Sequence, residues 1–110
     1  MGEERRRAKR FKVNLPARWA GTRARDRGTV SDLSITGCFM LTAGQTFAGE
    51  PIRLAVQLPG GVQINLGGEV VYYMDEIGFA VRFTEAEAAD KRHLVGFLKR
   101  RQAEEAAAAT

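Results

Sequence analysis

The sequence predicts a mainly β fold, a small antiparallel barrel or sandwich with one C-terminal α-helix. Three observations predict it. Apolar residues alternate with period two from residue 11 to residue 83. Short turn signals cut that stretch into strand-sized pieces. The period changes after Phe83. Short strands with one apolar face each, joined by short loops, must close on themselves or stack to bury those faces.

The elements follow in order. Phe11, Val13, Leu15, Ala17 and Trp19 face one way, and Lys12, Asn14, Pro16 and Arg18 the other. Arg23 to Gly28 reads as a polar hairpin loop, and a short segment near Arg27 to Val30 pairs with the strand after Gly37. Ile35, Gly37, Phe39 and Leu41 form a second apolar face, and Ile52, Leu54, Val56 and Leu58 a third. Val62, Ile64, Leu66 and Val70 form a fourth, with a bend expected at Gly67-Gly68. Ile77, Phe79, Val81 and Phe83 form the last. Ala43 to Pro51, Pro59-Gly60-Gly61 and Met74 to Glu76 are the turns between. Thr84-Glu85-Ala86-Glu87 reads as a capping box, with Thr84 as N-cap of a helix whose apolar stripe is Leu94, Phe97 and Leu98. This divides the chain into a basic arm (1–10), one domain (11–104) and a frayed tail (105–110).

Composition bounds the function. A chain of 110 residues with 45% hydrophobic residues can bury one modest core. No apolar run approaches the ~18 residues needed to span a bilayer. The charged N-terminus has no apolar stretch behind it, so a cytoplasmic protein without membrane insertion is expected. The single Cys38 cannot form an internal disulfide. The net charge is +4, and five of the seventeen basic residues fall within Arg5 to Arg10. Arg23, Arg25 and Arg27 form a second group. Such a balance suits an anionic partner.

The residues give catalysis little support. One histidine, His93, and one cysteine, far apart, do not make a metal site. No nucleophile elbow, P-loop or dinucleotide-binding glycine motif is present. His93 reads as a helix-surface residue, and Cys38 as a small semi-apolar one with no base in view. No enzyme and no cofactor are expected.

Two short segments carry chemistry. Arg6-x-x-x-Arg10 lies in the arm, and Asp32-Leu33-Ser34-Ile35-Thr36-Gly37 follows some twenty residues later. Arginine offers a planar fork of donors that grips phosphate, addresses guanine O6 and N7, and stacks on purines. Asp32 offers an acceptor to guanine N1–H and N2–H. Ser34 can donate to a phosphate or to its own turn. Gly37 permits close approach of a ligand to the backbone, or positive φ.

Together these segments resemble the signature of the PilZ family of cyclic di-GMP receptors, Arg-x-x-x-Arg followed by [Asp/Asn]-x-Ser-x-x-Gly. Arg6, Arg10, Asp32, Ser34 and Gly37 match every specified position. Phe11 to Ala17 and Ile77 to Phe83 look like the family's first and closing strands. The resemblance implies a six-stranded antiparallel barrel with one C-terminal helix. It implies cyclic di-GMP as ligand, bound by Arg5, Arg6, Arg10, Asp32, Ser34 and Gly37, and an unidentified downstream protein partner. Arg5 joins the set because the family often carries a doubled arginine there. The alternative reading is a basic nucleic-acid-binding barrel. Such barrels expose aromatics on strand faces, whereas here most aromatics lie on the expected inward faces, with Tyr72 and Tyr73 the exceptions.

Overall fold

The computed structural model describes residues 8–109. Its strands are β1 (Phe11–Ala20), β2 (Arg25–Leu33), β3 (Gly37–Leu41), β4 (Pro51–Leu58), β5 (Val62–Met74) and β6 (Gly78–Ala86), followed by helix α1 (Ala88–Ala108). All neighbouring strands pair antiparallel. The sheet closes in the order β1-β2-β3-β6-β5-β4, so β1 lies across the barrel from β6.

Inward residues fill the barrel. Trp19, Val30, Leu33, Cys38, Met40, Ile52, Val56, Ile64 and Phe79 are buried. Trp19 meets Phe79 edge-on with ring centroids 5.0 Å apart. The Trp19 indole N–H, buried with its ring, donates to Thr42 Oγ1 at 3.1 Å. Leu94, Phe97 and Leu98 of α1 join the same core. Gly60 and Gly61 take positive φ (87° and 80°) in the tight β4–β5 connection, which suits glycine and strains other residues. β5 changes register at Gly67/Gly68, where the sequence predicts its bend.

Four readings need correction. β2 begins at Arg25, so Arg25 and Arg27 lie in a strand and not in a hairpin loop; the loop is the tighter Gly21 to Ala24 turn, where the Gly21 N–H donates to the Ala24 carbonyl at 2.8 Å. In β3 the buried side chains are Cys38 and Met40, while Phe39 is half-buried and Leu41 and Ile35 are exposed. Both faces of that segment are apolar, and period two cannot choose between two apolar phases. Thr84 is not an N-cap. Glu85 and Ala86 continue β6, paired with Gly67 and Leu66, and Glu87 caps α1 without a side-chain bond. A ladder of backbone bonds outweighs one capping bond worth about 1 kcal/mol. Finally, the helix is continuous to Ala108, past residue 104, where the sequence predicts the domain to end. Alanine is the strongest helix former, and Glu105 is paired with Lys9 at 3.2 Å.

Candidate ligand groove

The second motif builds a turn between β2 and β3. Ser34 is fully buried. Its hydroxyl oxygen accepts the N–H groups of Thr36 and Gly37, both at 3.1 Å, and its own N–H donates to the Gly37 carbonyl at 2.8 Å. The Ser34 hydroxyl therefore serves the turn, one of the two roles open to it from sequence. Gly37 has neither positive φ nor an open flank. A Cβ there would stand 2.2 Å from the Val81 carbonyl oxygen, so glycine lets β3 and β6 come together. Turn and strand contact together fix the chain on either side, which sets the direction of Asp32.

Asp32 lies at the end of β2, beside Phe39 of β3 and Lys12 of β1. Arg10, just before β1, donates through Nη1 to Asp32 Oδ1 at 2.6 Å. The pair joins the two halves of the sequence pattern in space. Arg6 and Arg5 lie outside the described residues.

The Arg10–Asp32 pair stands at the rim of an open groove of about 550 Å³. Its floor is the outer face of β3, β6 and β5, including Phe39, Tyr72, Ala80 and Arg82. The Phe39 and Tyr72 rings lie 6.2 Å apart, tilted by 40°. Arg82 is held by the Glu69 carboxylate. The groove thus offers arginine donors, one carboxylate acceptor and aromatic faces. That set fits a ligand combining phosphate with a flat heterocycle. Sequence reasoning missed Phe39, Arg82 and Thr36 here. Tyr72 stood out only as an exception to the inward pattern. Arg82 carried a signal, because it is the one charge in the apolar run from Ile77 to Phe83.

Beneath the floor lies Cys38. Burial, reinforced by the Asp32 charge and opposed by Arg10, pushes its thiol up to about 12. His93 is exposed on α1. Among the described residues no cluster of His, Cys, Asp and Glu could hold a metal ion, and no helix is long and apolar enough to cross a membrane.

The match to known proteins agrees with this geometry. The PilZ domain family model matches residues 4–100, and the chain belongs to that family. Among solved structures, the Bacillus subtilis inhibitor of motility (MotI/DgrA) superposes with a TM-score of 0.78 at 24% identity, covering 91% of this chain and 52% of that one. This chain thus spans about half the length of that protein. The PilZ domain of Escherichia coli YcgR, solved with c-di-GMP, gives 0.71 at 18% identity over 96% of this chain and 99% of that one. The PilZ domain of CeSA from a cellulose-synthesizing bacterium gives 0.64 at 15% identity over 79% and 91%. At these identities the likeness is one of fold. No curated protein sequence matches the chain.

Proposed function

We propose that this chain is a cyclic di-GMP receptor and not an enzyme, binding its ligand where the arm meets the β2–β3 turn. The observation that carries the reading is the Arg10–Asp32 pair on the rim of the groove, which joins two motif halves 22 residues apart in sequence. Family membership supports it, as does the fold shared with a YcgR domain solved with this dinucleotide.

In this reading Arg6 and Arg10, with Arg5, grip phosphate and guanine edge, and Asp32 accepts from guanine N1–H and N2–H. Phe39 and Tyr72 bound the groove, and Ser34 and Gly37 hold the turn. Arg10 exchanges its carboxylate partner for phosphate, which frees Asp32 for guanine. The buried, protonated Cys38 supports a binding role over a catalytic one. Like charges crowd Arg5 to Arg10, and although Glu105 and Asp32 offset Lys9 and Arg10, phosphate adds further neutralisation. The ligand then fixes the arm against the barrel, and the reshaped surface is what a downstream protein reads.

A calorimetric titration of the full chain with cyclic di-GMP, beside a single-stranded oligonucleotide, tests this. Saturable binding of the dinucleotide with no heat from the oligonucleotide is expected. The reverse result overturns the reading. Backbone NMR relaxation tests the arm: residues 4–10 should become as rigid as the strands only at saturating ligand.

A further inference from the structure

Three arginines that do not line the groove converge on the outer face of β1 and β2. Arg18 of β1 and Arg27 of β2 are directly opposite one another in register. Arg25 sits two residues before Arg27 and therefore on the same face. All three are exposed. Directly opposed side chains have Cβ atoms about 5 Å apart, and i, i+2 neighbours on a strand about 7 Å apart. Like charges at that spacing destabilise a sheet. Nothing nearby offsets them. Among the described residues none of the three forms an ion pair, whereas neighbouring Arg53 is matched by Glu85 at 3.4 Å and Arg23 lies over the Phe47 ring at 5.9 Å. Asp26 lies between Arg25 and Arg27 in sequence, but its carboxylate accepts the backbone N–H of Arg27.

From this unpaired cluster we infer a second binding surface, on the outer face of β1 and β2, that docks an extended acidic segment of a partner protein. In such a segment, alternate Asp or Glu residues recur about every 7 Å and meet Arg25 and Arg27 in step. The rest of the face narrows the occupant. Around the arginines, its outward positions Asn14, Pro16 and Thr29 carry no aromatic or large aliphatic side chain. That denies single-stranded nucleic acid its stacking platform and a membrane its apolar anchor. None of Arg18, Arg25 and Arg27 lines the groove, so this surface stays open when the groove is filled.

The experiment uses the full chain, a dye-labelled peptide of alternating Asp and Gly of about twelve residues, and a single-stranded oligonucleotide of similar charge. Anisotropy is read at ~20 mM and ~150 mM salt. The peptide should bind the wild type. The triple variant Arg18→Ala, Arg25→Ala, Arg27→Ala should bind it about tenfold more weakly or worse, as three exposed pairs together imply. Arg10→Ala should bind the peptide as the wild type does. The triple variant should keep its cyclic di-GMP affinity and an equal or higher Tm, since repulsion is removed. This separates failure of this surface from failure of the ligand site. Equal peptide binding by wild type and triple variant overturns the inference, as does tighter binding of the oligonucleotide than of the peptide. A fall in the triple variant's Tm overturns it too, by giving the arginines a structural role.

Discussion

Gly37→Ala tests which neighbour requires the glycine. The added Cβ would stand 2.2 Å from the Val81 carbonyl oxygen and 3.3 Å from its carbon, and both are backbone atoms that no rotamer change can move aside. Ordinary C···O contact is about 3.3 Å or more, so β3 must retreat from β6 by about 1 Å. One short bond between the two sides flanks the contact, from the Phe83 N–H of β6 to the Thr36 carbonyl at 2.8 Å. Lengthening it by that much takes it beyond hydrogen-bond range and leaves both its donor and its acceptor unpaired. Leaving buried backbone groups unpaired costs about 1–3 kcal/mol each, which gives a loss of about 2–4 kcal/mol. In a domain of this size that is a fall in Tm of roughly 8–25 °C. Thermal denaturation followed by Trp19 fluorescence measures it, because that indole is buried in the core. If Gly37→Ala keeps the wild-type Tm and loses only dinucleotide affinity, the strand contact is not what requires glycine.

Three further outcomes are expected. Arg6→Ala and Arg10→Ala should each weaken cyclic di-GMP binding by about 1.5–3 kcal/mol by calorimetry, and Asp32→Ala should erase preference over cyclic di-AMP, which lacks the N2–H donor. The Arg10 change should cost under about 1 kcal/mol of fold stability, because its ion pair is half exposed. Cys38, its thiol raised to about 12 by burial, should react with a disulfide reagent at pH 8 only as fast as the barrel opens, and quickly in denaturant. Glu50 is buried, and burial raises its carboxyl, but bonds from Thr46, Thr22 and the Arg23 backbone outweigh that and hold it below its ordinary 4.5. The unfolded chain therefore takes up the proton first as pH falls. The stabilisation is complete well above 4.5 and shrinks as pH drops through the folded value. Denaturant titrations should show Glu50→Gln less stable than wild type at pH 7, with the gap closing in acid.

Much of the fold was legible because most strands have one apolar and one polar face. β3 was misphased since Phe39 and Leu41, facing out, are as apolar as Cys38 and Met40, facing in. Phe39 is outward because it forms the floor of the groove, so the local rule failed at the candidate site. The arginines at 25 and 27 looked like loop because polarity was read as exposure alone. A strand needs only one buried face, and Val30 and Leu33 supply it further along β2. The motif announced Arg10 and Asp32 by residue type. It could not announce Arg82 or Tyr72, which reach the groove through strand pairing with distant segments.

The β2–β3 turn has an evolutionary corollary. Ser34 and Gly37 answer to the barrel's own geometry, whatever they also do for a ligand, whereas among the described residues the Asp32 carboxylate hydrogen-bonds Arg10. A descendant released from dinucleotide signalling would be free to drift at Asp32 and in the arm while purifying selection still guarded the serine and the glycine. The serine and the glycine, found by themselves in a genome, thus count intact barrels; the arginines and the aspartate are what count receptors.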